Sequence, residues 1–537
     1  MNMTNRTLAA LVLMVATLWA LAADALPPAK LLRDDTGLYP RVVRLAHAGA
    51  ASGRLLAAVV VPPEGDDPGL SPIFESADGG ASWGKAPVGT VRDPEAVKGL
   101  CCIALFELPA KMGQNPAGTL LWAGSVGQNA QGRRMALRVW KSLDRGRTWS
   151  YLSSCAEAQN EGGLWEPEFS VAADGSLVCH FSDETDAGRH SQFLAEVTSR
   201  DGGATWSARR PTVALPEQAL RPGMPIVRRL PDGRFVMTYE VCALPEANCA
   251  AHLRFSRDGL NWGDPADIGT RVFANTGRYF AHTPVLAWAP GPSPQGTLLL
   301  SGQLLQEGPG IVPSEGTGRT LMLNTTGGQG NWIEVPAPFA LDNVSDNYCP
   351  NYSSPLLPSQ DGKKVLELAT NFDGPLCKPY YGTGPIADLY AVDHATRGSG
   401  IGQLEYQGAW KADGKTHFSA APGAAVTLRF AGTGVKVRGS GQAPDGVRSA
   451  QDGGQAPDGV RSAQDGGQAP DGVRSAQDSG AATVSVDGGA PIMLAAPKEG
   501  ALLYARTDLK QGTHRLTLRV AGGERLTLSG FDVDLGR

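Results

Sequence analysis

The sequence predicts an all-β protein, a six-bladed β-propeller followed by a C-terminal β-sandwich of jelly-roll type. Three observations carry the prediction. A turn motif recurs along the chain, short apolar runs alternate with polar turns over 31–393, and the texture changes after Asp393. The motif is clearest at Ser199-Arg200-Asp201-Gly202-Gly203-Ala204-Thr205-Trp206. There the Asp side chain can hydrogen-bond backbone two residues on, and the glycines accept left-handed dihedrals without steric cost. The Trp supplies a large apolar plug over the turn. Ser76, Asp78, Gly80 and Trp83 repeat the pattern, as do Ser142, Asp144, Gly146 and Trp149. Ser256, Asp258 and Trp262 form a shortened copy, and 324–332, ending in Trp332, an eroded fifth. The plugs fall at 83, 149, 206, 262 and 332, an interval that suits radially stacked four-stranded sheets.

Strand-like runs fill the intervals. Arg41–Leu45, Leu55–Val61, Leu120–Ala123, Leu137–Lys141, Ser176–Phe181, Arg234–Glu240, Thr297–Leu300 and Lys364–Ala369 are the clearest. Allotting about 60 residues to each four-stranded sheet gives six blades over 31–393. A glycine-rich stretch, 394–402, reads as a linker, and 403–537 reads as a sandwich module that serves as a spacer or binds carbohydrate. Its strands are expected at Ala425–Phe430, Val435–Arg438, Thr483–Val486, Arg515–Val520 and Arg525–Leu528. Within it, 441–479 is a thirteen-residue sequence repeated in tandem. It is too polar to bury surface, so a disordered hairpin loop without chemistry is expected.

The N-terminus reads as an export signal over 1–25. Arg6 precedes the apolar run Leu8–Ala23, which ends in small residues. That run is short for a bilayer span, so a secreted protein, extracellular or periplasmic, with no membrane association after cleavage is expected. The 48 basic and 53 acidic residues give a net charge of −5 without a basic run, which argues against nucleic acid and for a neutral or weakly polar partner. Eight cysteines suit an oxidising compartment, with connectivity left open. Their spacing matches no zinc motif, so neither a metal nor any other cofactor is expected, and the chain is expected to be a monomer.

Candidate catalytic residues come from two segments. Trp165-Glu166-Pro167-Glu168 carries two acids at i and i+2, and Glu240 interrupts the apolar strand run that begins at Phe235. A buried carboxylate is costly unless it is paired or used. Glu166, next to Pro167, reads as the weaker of its pair, orienting Glu168. Arg221 and Arg41 are candidates to hold a sugar hydroxyl or clamp a carboxylate, with binding to backbone carbonyls the alternative. Asn351 and Tyr352, within Asn347–Ser354, suit a sugar subsite or a capped turn.

The repeated turns resemble those of the sialidase superfamily. The intervening segments resemble glycoside hydrolase family 93, the exo-1,5-α-L-arabinanases. The matching stretches are Tyr39-Pro40-Arg41, Trp165–Glu168, Arg221–Pro225, Met237–Glu240, Asp258–Gly263, Cys349–Ser354 and Tyr381–Pro385. The resemblance spans about 39–388 and leaves the C-terminal module unmatched. It implies a retaining exo-glycosidase that releases arabinobiose from linear α-1,5-L-arabinan. Glu168 would be its general acid/base and Glu240 its nucleophile, with Arg221 helping to keep Glu240 ionised. Arg41, Trp165, Glu166, Arg221, Asn351 and Tyr352 would contact substrate. A sialidase, with Arg41, Arg221 and Arg278 as a triad on the substrate carboxylate, is the nearest rival. A non-catalytic carbohydrate-binding propeller is the rival from another class.

Overall fold

The computed structural model describes residues 26–65, 68–310, 312–442, 482–494, 501–522 and 525–537. The expected signal peptide, 1–25, and most of the tandem repeat, 443–479, lie outside the described residues. The chain divides into two units, one up to Ala387 and one over Asp388–Arg537.

In the first unit the inner strands of each sheet are short and largely buried on both faces, because each sheet packs between two others. Leu55–Val60 shows how the sequence achieves this: all six side chains are buried. Leu55, Ala57 and Val59 enter a core with Leu366 and Leu368, while Leu56, Ala58 and Val60 enter another with Leu120 and Trp122. One strand thus serves two cores through its two-residue period, and a continuous apolar run replaces apolar–polar alternation. Six sheets follow one another along the chain, each a succession of antiparallel strands. Their first strands are Leu38–Arg44, Leu100–Glu107, Leu164–Val171, Arg221–Arg229, Val285–Ala289 and Leu356–Pro358. Each of these lies beside the first strand of the next sheet, and Leu356–Pro358 lies beside Leu38–Arg44. The sixth sheet takes its outer strand, Lys30–Leu31, from the start of the described chain, paired to Leu376–Pro385.

The recurring turns connect third to fourth strands, as between Phe193–Ser199 and Arg210–Val213. Ser199 Oγ donates to Asp201 Oδ1 at 2.7 Å and accepts from the Gly203 amide at 2.8 Å. The Asp201 carboxylate accepts from the Thr205 amide and hydroxyl. In the eroded copy the single Asn324 Oδ1 takes the amides of Thr326 and Gly328. Two of the tryptophans reach across to the preceding sheet, Trp206 Nε1 donating to Ser153 Oγ and Trp262 Nε1 to Glu196 Oε2, while Trp149 Nε1 donates to Gly146 in its own turn. The plug is therefore also a staple between neighbouring sheets.

Four disulfides are present: Cys101–Cys102, Cys155–Cys179, Cys242–Cys249 and Cys349–Cys377. One buried acid has no counterpart. Glu367 is 5% exposed, its Oε2 finds no partner, and burial pushes its carboxyl up to about 8. Its folded value lies above the unfolded one near 4.5, so its contribution to stability is complete below that pH and is lost as pH rises towards 8. Glu367→Gln is therefore expected to raise the melting temperature at pH 8 to 9 and to change it little at pH 5; equal shifts at both pH values would contradict this.

The second unit holds a five-stranded and a six-stranded antiparallel sheet. Along Gly512–Val520, Leu516, Leu518 and Val520 are buried while their neighbours face outward, the alternation of a sheet with one packed face. Two sequence expectations change here. The expected boundary after Asp393 moves to Ala387/Asp388, because Leu389–Asp393 pairs with Arg525–Asp534 inside the second unit. The expected linker 394–402 is likewise tied in, through bridges Arg397 to Leu404 and Ile401 to Arg429. The repeat also does not close a hairpin. Gly434–Gln442, before it, belongs to the six-stranded sheet and Ala482–Val486, after it, to the five-stranded one.

Candidate active site

A repeated backbone device positions the site. The first strands of the first four sheets each break register once, at Leu38/Arg41, Cys101/Ile103, Trp165/Glu168 and Gly223/Ile226. In each break one non-glycine residue has positive φ: Tyr39, Cys102, Glu166 and Met224, at 47°, 53°, 55° and 60°. In the last two sheets the equivalent residues, Thr283 and Ser353, precede the first strand. A bulge re-aims the side chain it carries, and a positive-φ residue recurs in or just before the first strand of all six sheets. Tyr39, Glu166, Met224 and Thr283 each precede a proline, and Ser353 is one residue further away. That recurrent X-Pro was the legible signal of the device, and only part of it entered the sequence reading.

Glu166 occupies the third of these positions. Its Oε2 accepts from the Ser182 hydroxyl and, at 3.2 Å, from the Met224 amide. Burial pushes its carboxyl up to about 7; the Ser182 bond opposes this and the charge of Glu240 adds to it. Glu240, on Phe235–Cys242 of the fourth sheet, receives the Thr283 amide on Oε2 at 2.7 Å. His282 Nδ1 lies 3.8 Å from the same oxygen, and His282 Nε2 lies 3.5 Å from Asp346. Burial alone would lower the His282 imidazole, but the hydrogen bond and charge of Glu240, with Asp346, raise it above its ordinary value.

Gly223 lies between the two acids. A Cβ there would stand 3.5 Å from Glu240 Oε1, 3.7 Å from the Ser182 hydroxyl that holds Glu166, and 2.5 Å from Gln192 Nε2. Gly223→Ala is expected to displace Gln192 and to lower kcat/KM by about tenfold or more, with a smaller change in melting temperature. Unchanged kinetics would remove Gly223 from the site.

Tyr352 completes the centre. Its hydroxyl is held well above the ordinary phenol value, first by burial and then by the charges of Glu166 and Glu240. Its ring lies 6.2 Å from that of Tyr39, whose own phenol is raised by burial, and Arg41 stacks on Tyr39 at 4.1 Å.

The other expected residues fall into place differently. Glu168 is 8% exposed and pairs with Arg228 at 2.5 Å, so the acid expected to be catalytic is engaged in an ion pair and its neighbour Glu166 faces Glu240's field. The i, i+2 argument failed because the register breaks between the two glutamates, which separates their directions. Arg41 binds the Pro40 and Ser353 carbonyls and the Ser353 hydroxyl, joining first and sixth sheets. Arg221 bonds Glu184, Gln192 and Ser191, not Glu240. Asn351 is 5% exposed, its amide spent on the Gly302 and Gln303 carbonyls, which is the capped-turn alternative. Trp165 is half-buried under Arg133 at 5.9 Å. With Glu184 and Arg221, Arg133 lines a cavity of about 550 Å³. The rival triad does not assemble, since Arg278 pairs with Glu334 and Arg221 with Glu184. Cys242, Cys249 and His282 cluster tightly, but the two sulfurs are joined to each other and are not free thiolates. Ser182, His282, Thr283, Asp346 and Gly223 had not been singled out. Gly223 lies within the Arg221–Pro225 stretch, the others in no chemically suggestive run, and only the fold brings them to Glu166 and Glu240.

Two glutamates in unlike surroundings, one raised to about 7 and the other holding a backbone amide, are an arrangement that acetal chemistry can use. No family model matches the sequence, and no curated protein matches it. Solved structures do. An α-L-arabinanase of Penicillium chrysogenum, solved with arabinobiose, matches with a TM-score of 0.57 and 24% identity, over 67% of this chain and 98% of that one. A glycoside hydrolase family 93 α-L-arabinofuranosidase of Fusarium graminearum, also with arabinobiose, matches with a TM-score of 0.54 and 24% identity, over 67% and 96%. The same Fusarium protein with an iminosugar inhibitor matches equally. The chain shares the propeller fold of these proteins.

Proposed function

We propose that the chain is a secreted retaining exo-glycosidase that acts on linear α-1,5-L-arabinan and releases arabinobiose. Its six sheets are read as the blades of a six-bladed propeller, and the second unit as a sandwich accessory module. The observation that carries the reading is Glu166, raised to about 7 by burial and by the charge of Glu240, in one of the backbone kinks that recur in or just before the first strand of each sheet. Glu166 takes the acid/base role that the sequence resemblance had implied for Glu168.

In the first step Glu166 gives its proton to the departing glycosidic oxygen while a Glu240 oxygen attacks the anomeric carbon, forming a glycosyl ester as the C–O bond breaks. The Thr283 amide donates to the attacking carboxylate and His282 lies beside it. Glu166, now a carboxylate, takes a proton from water, whose oxygen displaces Glu240 from the sugar and restores both groups. Ser182 and the Met224 amide fix the Glu166 oxygen that carries charge between the two steps. The fold shared with two arabinobiose-binding proteins supports the choice of pentose polymer. Product analysis on debranched linear arabinan tests the proposal: arabinobiose as sole early product, with the α configuration retained, is expected. Absence of any product from arabinan would refute it, and a ladder of longer oligosaccharides would refute the exo action.

A further inference from the structure

At the shared level the second sheet contributes neither an acid nor a hydroxyl but a ring of two joined cysteines. Cys102 stands in its sheet where Glu166, Tyr39 and Met224 stand in theirs, with φ 53° in the register break between Cys101 and Ile103. Its sulfur is bonded to that of Cys101, the adjacent residue. Cys102 is 4% exposed and Cys101 half-buried, and both belong to the apolar cluster that contains Tyr39, Met224, Trp165 and Tyr352. Every other residue singled out at this level brings a polar atom or a thioether: carboxyl, phenol, methionine sulfur or hydroxyl. A disulfide between neighbours closes a small ring through their peptide bond, and its side-chain edge carries no N–H, no O–H and no titrating proton. It presents two polarizable sulfurs whose only demand is apolar contact.

We infer that the Cys101–Cys102 disulfide is a sugar-binding surface of this site, packing against the C–H face of the pentose whose anomeric carbon lies between Glu166 and Glu240. The inference rests on the proposed glycosidase reading and deepens it. A pentofuranose displays hydroxyls at its edges and an apolar face. The carboxyls and phenols at this level answer the edges, and the sulfur ring is the matching apolar partner. The residue pair is thus a binding determinant with no part in proton or electron transfer. An intact disulfide also pins both sulfurs by covalent geometry, so the contact is preorganised and costs little side-chain entropy on binding.

The test uses the full chain in three forms: wild type, the double variant Cys101→Ser/Cys102→Ser, and wild type incubated with dithiothreitol under native conditions. In the last form the reagent gives two electrons and two protons to the Cys101–Cys102 bond and is itself oxidised to its cyclic disulfide. Mass spectrometry after alkylation reports which pairs opened. Loss of roughly 40 to 60 Å² of apolar contact corresponds to a five- to tenfold weakening. KM on linear arabinan and the Kd of arabinobiose are expected to rise by that factor in the double variant. The change in kcat is expected to be less than twofold. The reduced wild type should shift KM in the same direction if Cys101–Cys102 is among the opened pairs. KM and Kd unchanged in the double variant would overturn the inference, as would a fall in kcat at constant KM. If the double variant does not fold, reduced wild type with Cys101–Cys102 open and KM unchanged overturns it equally. Wild type inactive on arabinan is a different outcome: it refutes the glycosidase reading, and with it the inference.

Discussion

Glu166→Gln is expected to lower kcat by about 10² to 10⁴, the usual contribution of a positioned general acid, while arabinobiose still binds. Gln keeps the shape of the side chain, can still meet Ser182 and the Met224 amide, and cannot release a proton. The pH dependence supplies the sharper readout. The wild-type group titrates at about 7 and must be protonated to act, so kcat/KM should fall tenfold per unit above that pH. In Glu166→Gln that basic limb should vanish. Glu168→Gln is the control. It breaks the pair with Arg228, so about 1 to 3 kcal/mol of stability should be lost with the basic limb left in place. If instead Glu168→Gln abolishes turnover and Glu166→Gln leaves it intact, the roles assigned to the two acids are reversed.

The largest effect belongs to Glu240. Glu240→Ala deletes the atom that would form the glycosyl ester, and a loss of kcat on the order of 10⁴ to 10⁶ is expected. The deletion leaves space next to the Thr283 amide, the size of a small anion. Added azide should therefore restore part of the turnover and yield an arabinobiosyl azide of inverted configuration at the anomeric carbon. Rescue that gives the retained configuration would place the nucleophile elsewhere. His282→Gln probes the same carboxylate more gently. Loss of the imidazole beside Glu240 should lower kcat by less than Glu240→Ala does and leave the Glu166 limb in place.

The strands and the recurring turns were legible because each rests on local rules. A Ser, Asp, Gly and Trp in order fold a turn whatever surrounds them, and Leu55–Val60 reads as buried in any context. Both glutamates were legible, but not which of them meets the field of Glu240. Strand periodicity places Glu166 and Glu168 on one face, and the register break at 165/168 undoes that inference. The break itself leaves a trace, the recurrent proline after the inward residue, whose meaning emerges only when five copies are aligned by fold. Arg221 looked like a partner for Glu240 because its segment precedes that strand, but its guanidinium meets Glu184 and Gln192. Partners such as Ser182, His282 and Asp346 were not legible at all. Their chemistry is ordinary, and what makes them relevant is where the neighbouring sheets deliver them. The two sheets flanking the tandem repeat show the same limit, since adjacency in sequence suggested a hairpin that the pairing refutes.

The pairing of Lys30–Leu31 with Tyr380 and Tyr381 fixes an order of events during synthesis. The segment that emerges from the ribosome early cannot dock until about 350 further residues have followed it. A chain threaded outward through a membrane pore would then deliver five sheets before the sixth could finish. Chaperones or neighbouring chains would meet an open array with a waiting edge throughout that interval. Because closing a long loop costs only logarithmically more than closing a short one, the delay burdens kinetics far more than final stability.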